Sequence, residues 1–147
     1  MVRVVLERVE GDYGFLAKDS IGHAVNFDSS VEIGGRNSGV RPMQTLLMAL
    51  GSCAAIDIVS ILKKQRKVIT SFNIVIEGER EQEKEPSLWK RVHVQFQLGG
   101  DIDDDKAQKA CALSIEKYCS VAETLRRAGA DITYTVSVNQ KTKQINN

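Results

Sequence analysis

Apolar residues alternate at the start of the chain and run almost without interruption near its middle. Over residues 2–7 (VRVVLE), Val2, Val4 and Leu6 share one side, the period-two mark of a strand. Glu10-Gly11-Asp12-Tyr13-Gly14 breaks that pattern as a turn. Residues 15–18 and 23–27 predict two further short strands joined through Asp19-Ser20-Ile21-Gly22, so the opening is an antiparallel meander. Residues 28–39 form a loop with glycines at 34, 35 and 39, without the spacing of a phosphate loop. Pro42 suits a first helical turn, and from there to about Lys67 one helix of roughly 25 residues is predicted. Its first two-thirds are apolar almost all round, which predicts burial on most sides. Lys63, Lys64, Arg66 and Lys67 complement the negative end of its dipole.

Alternation returns at residues 72–76 and 92–96, two strands about a charged hairpin loop at 77–86. Acids at 103–105 are expected to cap a helix reaching about Tyr118. Ser120 with Glu123 three residues later forms a capping-box pattern for a second helix running to about Ala128. Residues 131–138 (DITYTVSV) predict a last strand. Residues 1–139 are expected to form a single domain and 140–147 a polar C-terminal tail. The order β-β-β-α-β-β-α-α-β predicts an α+β fold with helices packed on antiparallel sheet. One thin sheet covers a nearly all-apolar helix poorly, which favours an oligomer in which a second chain completes the burial.

Composition narrows the function classes. A formal net charge of +1 gives no basic surface for nucleic acid and none for an anionic membrane. The most apolar stretch, 46–62, is interrupted by Gly51, Ser52, Asp57 and Ser60 and is expected to fall short of a membrane span. Residues 1–10 lack the apolar run of a secretory signal, so a cytoplasmic location with reduced thiols is expected. Three cysteines make a poor structural disulfide framework.

Those cysteines are the candidate chemistry. Cys53 lies in Leu50-Gly51-Ser52-Cys53-Ala54-Ala55, where small neighbours permit close approach, although a cysteine on an apolar helix also serves simply as a small core residue. Cys119 precedes Ser120, the expected N-cap. It would then lie beside unsatisfied N–H groups and a positive helix end, which lower a thiol pKa. Cys111 falls on the core spacing of Ile115, Tyr118, Ala122 and Leu125. It stands eight residues from Cys119, about 12 Å along a helix and too far for a bridge, so Cys53 could pair with either. Asp57, one turn after Cys53, is expected to hydrogen-bond a loop, since a carboxylate raises a neighbouring thiol pKa. His23 and His93 have no second ligand at metal spacing, and no G-x-S-x-G elbow is present.

Four segments resemble the OsmC/Ohr superfamily of thiol-dependent proteins (osmotically inducible and organic hydroperoxide resistance proteins). They are GHAVNFD (22–28), Gly34-Gly35 leading to RPMQTLLMALGSCAAIDIVSILKKQR (41–66), VHVQFQLGGDID (92–103) and LSIEKYCSVAETL (113–125). The resemblance implies an OsmC-like fold, with antiparallel sheets wrapped around long central helices in an intertwined homodimer and two sites at the subunit interface. It implies that Cys53 and Cys119 are a redox pair. Cys53 attacks an organic hydroperoxide, Cys119 closes a disulfide onto the sulfenic acid, and a dithiol restores both thiols. No metal, haem, flavin or other cofactor is implied. Peroxidase members use an arginine and a glutamate to favour and orient the attacking thiolate. Here Gln44 stands where many relatives carry the glutamate, and Arg36 and Arg41 are the arginines placed by position. The retained cysteine pair favours a peroxidase. The uncharged Gln44 favours a member with weak or no peroxidase activity that binds a small apolar ligand at the dimer interface.

Overall fold

A computed structural model of the 147-residue chain describes residues 1–139, and the tail expected at 140–147 lies outside them. The chain divides into two compact units, Met1–Leu46 and the residues from Leu47 onward. The elements follow the expected order.

In the first unit, β1 (Val5–Glu10), β2 (Gly14–Lys18) and β3 (Ala24–Phe27) form an antiparallel sheet in chain order. Leu6 faces Ala17, and Phe15 faces Phe27. β1 runs later than the 2–7 pattern suggests because it continues through a bulge to pair Glu10 with Gly14. After β3 the chain winds around one carboxylate. Asp28 is 4% exposed and accepts from the N–H groups of Ser29 (2.7 Å), Arg36 (3.0 Å) and Ser38 (3.0 Å), and from the Ser38 hydroxyl (2.8 Å). The glycine-rich loop thus turns its backbone donors onto its own aspartate. Gly35 and Gly39 permit this, since a Cβ would lie 2.1 Å from Ser29 O and 2.6 Å from Asn26 O respectively.

Helix α1 (Pro42–Lys64) begins in the first unit and continues in the second. It stops before Lys67 because Arg66 turns left-handed (φ 58°). The Arg66 N–H then donates to Lys63 O (2.9 Å) and the Lys67 N–H to Leu62 O (3.0 Å), the two bonds of a Schellman ending. Lys67 Nζ reaches Asp103 at 2.6 Å. One chain alone buries a single side of α1. Leu50, Ala54, Ile58 and Leu62 form one fully buried stripe, while Met48 (52%) and Ile56 (68%) stay exposed. By length and composition alone α1 is long and apolar enough to cross a membrane, with a mean hydropathy of 2.0 despite Asp57 and the small residues. Its buried stripe instead supplies core contacts: at Gly51 the helix approaches Ile76, whose Cδ1 would lie 2.9 Å from an added Cβ.

The second sheet orders β4 (Val68–Arg80), β5 (Trp89–Asp101) and β6 (Asp131–Asn139) with β5 central. Both β4 and β5 outrun the predicted five-residue strands, because charged residues continue the ladder on its open face; Arg91 Nε donates to Glu79 at 3.0 Å. Val92, Val94, Phe96 and Leu98 are buried at alternate positions, and the Phe96 ring lies 6.3 Å from Phe72 and 6.4 Å from Tyr134. The sheet is mixed, not wholly antiparallel: β4 runs antiparallel to β5, but β6 runs parallel to it, pairing Phe96 with Val136. The helical segment between them carries the chain back to the end where β5 began, as a parallel crossover requires. That segment comprises α2 (Asp104–Leu113), one π-helical turn (Ser114–Tyr118) and α3 (Ser120–Arg127). Asp103 occupies the N-cap of α2 without a side-chain capping bond, its carboxylate being held by Lys67.

Candidate functional site around Cys53 and Cys119

The π turn decides where Cys119 goes. The Cys119 N–H donates to Ser114 O at 2.8 Å, five residues back, which widens the helix and ends it. Cys119 then takes an extended conformation (φ −70°, ψ 103°) and is itself the N-cap of α3. Its sulfur accepts from the Ala122 N–H at 3.4 Å, and its carbonyl accepts the Glu123 N–H at 3.1 Å. The expected cap at Ser120 is therefore corrected by one residue. Ser120 is the first helical residue, and Glu123 turns to Arg126 (3.0 Å) and Arg127 (2.8 Å) in place of closing a capping box.

The sulfur of Cys119 points inward, 4.0 Å from Leu50 O on α1, and the residue is 3% exposed. Burial pushes its thiol up to about 11, and the thiol of Cys53 beside it adds to the rise, while the Ala122 and Val121 N–H groups work against it. The lowered pKa expected from the helix end is thus overturned. Two N–H groups do not offset the loss of water around a buried thiolate. Cys53 is half-buried on α1 between Leu50 and Ala54. Cys111 is fully buried in α2, and burial alone pushes its thiol up to about 12. All three cysteines are free, and Cys119 takes Cys53 as its neighbour.

A second link ties the π turn to α1. Ser114 is fully buried, and its hydroxyl lies 3.1 Å from Asp57 Oδ2 and 3.3 Å from Ala54 O. Asp57 is a hydrogen-bonding residue as expected, but its partner belongs to the π-helical turn, not to a loop. Ser114 was not singled out by the sequence, although a serine within an otherwise apolar helical stripe is a signal for a buried polar anchor. Outside the thiols, a groove of ≈ 350 Å³ is lined by Lys117, Tyr118, Cys119, Ser120, Glu123 and Arg127.

The other predicted site residues belong to the first unit, and their described partners do too. Arg36 Nη1 pairs with Glu10 at 3.0 Å. Arg41 Nη1 donates to Asp28 O (3.0 Å) and Gly39 O (2.9 Å), and its Nη2 to Asn37 Oδ1 (2.5 Å). Gln44 Oε1 accepts from the Arg41 N–H at 3.3 Å, a bond at the opening of α1. The first unit also holds an apolar cavity of ≈ 740 Å³ lined by Leu6, Tyr13, Phe15, Phe27, Ile33 and Leu46. Two adjacent thiols can pass between dithiol and disulfide, giving two electrons to an oxidant and regaining them from a reductant.

The family described as OsmC-like protein matches residues 35–135. Protein YhfA of Escherichia coli (strain K12) is 38% identical over 128 residues, covering 84% of this chain and 89% of that protein. Among solved structures, a hypothetical protein from Aquifex aeolicus VF5 is 30% identical, with a TM-score of 0.77 over 95% of this chain and 98% of its own. An organic hydroperoxide resistance protein OsmC from Legionella pneumophila shares the fold (TM-score 0.71, 94% of this chain and 97% of that one) at 16% identity.

Proposed function

The chain belongs to the OsmC-like family, and from that premise we propose that it is a thiol-dependent peroxidase for organic hydroperoxides, acting in oxidative-stress defence in the cytoplasm. The observation that carries this is the placement of the Cys53 and Cys119 thiols side by side, with Cys53 the more open of the two. The Cys53 thiolate attacks the terminal peroxide oxygen. The O–O bond breaks, an alcohol leaves and Cys53 becomes a sulfenic acid. The Cys119 sulfur then attacks Cys53; the S–O bond breaks, water carries off the oxygen with the Cys119 proton, and a disulfide forms. A dithiol reductant restores both thiols by exchange. The hydroperoxide resistance for which the Legionella pneumophila protein of the same fold is named supports this choice of substrate. The working unit is an intertwined homodimer, supported by the exposed Met48 and Ile56 on α1.

Peptide mass mapping after treatment with cumene hydroperoxide tests the pair. A Cys53–Cys119 disulfide is expected, with Cys53→Ser abolishing peroxide consumption and Cys119→Ser stopping after one turnover at a sulfenic acid. Both thiols remaining free, with no oxidised product, would sink the peroxidase. A second reading, a member with weak or no peroxidase activity that binds a small apolar ligand, is favoured by two observations. One is the apolar cavity of the first unit. The other is Gln44, which carries no charge and is used at the helix opening.

A further inference from the structure

The geometry points to Ser114 and Asp57 as positioning residues that set how fast the Cys53–Cys119 disulfide closes. This rests on those two cysteines being the redox pair. Ser114 is joined to the site at both ends. Its carbonyl accepts the Cys119 N–H at 2.8 Å and so fixes the backbone that carries the second sulfur. Its hydroxyl reaches Asp57 Oδ2 at 3.1 Å and Ala54 O at 3.3 Å, and so fixes that turn on the helix that carries the first sulfur. Cys53 lies between the two points where this segment touches α1: Leu50 O, which faces the Cys119 sulfur, and the Ala54–Asp57 turn, which holds Ser114.

A π turn is a strained, widened loop of helix that persists where surrounding contacts hold it. The Ser114 side chain is a buried polar contact of that kind, and its single hydroxyl proton is shared between two acceptors. Neither Ser114 nor Asp57 takes part in bond making. Closure requires one sulfur to approach the other in line with the bond that breaks, and small misplacement lowers such rates steeply. Without the Ser114 hydroxyl the backbone of Cys119 loses this side-chain tie to α1, and without Asp57 it keeps only the longer bond to Ala54 O, so closure slows in both cases while Cys53 remains as open as before.

Ellman's reagent separates the two steps without hydroperoxide. Attack by Cys53 releases one thionitrobenzoate and leaves a mixed disulfide. Attack by Cys119 on the Cys53 sulfur then forms the protein disulfide and releases a second. Wild type is expected to release both, and Cys119→Ser only the first. Ser114→Ala and Asp57→Ala are expected to slow the second release about tenfold or more relative to the first. Asp57→Asn, whose amide oxygen still accepts from the hydroxyl, should stay within about twofold of wild type. Asp57 is only half-buried, so its variants keep the test open should Ser114→Ala not fold. A second release at the wild-type rate in the folded alanine variants overturns the proposal, as does an Asp57→Asn rate as slow as Asp57→Ala. With cumene hydroperoxide, the slow variants should accumulate Cys53 sulfenic acid. If no chain, wild type included, consumes hydroperoxide, the peroxidase reading fails while the second release still decides the positioning role.

Discussion

Cys119 receives the Ala122 N–H on its sulfur and still has a thiol held at about 11, because burial is the larger influence. The Cys53 thiol on α1 faces it, and Lys117, Glu123 and Arg127 line the groove beyond it. Only a small fraction of Cys119 is thiolate near neutrality, and the thiolate is the attacking form. Disulfide closure should therefore accelerate about tenfold per pH unit from roughly 7 to 10. Stopped-flow release of the second thionitrobenzoate across that range checks this, and a plateau near pH 8 would show that Cys119 is not held up. Asp28 lies at the opposite extreme: the Ser38 N–H foremost, then the Ser38 hydroxyl and the Ser29 and Arg36 N–H groups, hold its carboxyl down to about 2. An unfolded aspartate titrates near ~3.9, so this depressed value stabilises the fold above about pH 4 and is lost as pH falls through about 2. Asp28→Asn should lower Tm at pH 7, with the difference from wild type shrinking to near nothing by pH 2 in thermal melts. At this scale the local sequence left Cys53 open to either partner, the family resemblance implied Cys119, and neither gave the sign of the Cys119 shift. A capping pattern records local bonding, whereas burial comes from Leu50, which stands 69 residues away.

Element boundaries were legible where the chain carries its own punctuation. Pro42 opens α1 where expected, and the first meander keeps its antiparallel order. The end of α1 was missed by three residues because its left-handed terminus is an arginine, not a glycine. A non-glycine residue in that region costs about 1–2 kcal/mol. Arg66→Gly should therefore stabilise the protein by about 1 kcal/mol, somewhat less than that cost because glycine has more freedom to lose on folding. Urea titration checks this, and an unchanged or lower midpoint would mean the arginine makes up its backbone cost through other contacts. The direction of β6 was not legible at all. Alternation gives a strand its faces but not its polarity, and the parallel pairing with β5 follows from where the α2–α3 segment returns the chain. The same segment hid the π turn, since five residues of widened helix keep nearly the apolar spacing of a regular one.

At the scale of the whole molecule, the α+β class and the family were legible because the motifs around Cys53 and Cys119 run in a fixed order. What the pattern could not show is how much of α1 one chain covers. An all-round apolar helix predicts burial on most sides, yet a single stripe is buried and Ile56 is 68% exposed. With Met48 at 52%, that leaves large side chains in water on α1, among the described residues the one element apolar enough to enter a membrane. Covering a Leu, Ile or Met side chain fully is worth about 1.5–3 kcal/mol, so a few such residues from each of two chains give a strong drive to associate. The proposed homodimer accounts for them as buried contacts between chains. Light scattering should then give a mass near twice the 16.3 kDa of the chain. Ile56→Glu should move the population toward monomer and lower stability in a concentration-dependent way, because a buried charge must be stripped of water to keep the interface. Wild-type protein that stays a folded monomer at micromolar concentration would remove the dimer, and would leave α1 to be covered by another partner.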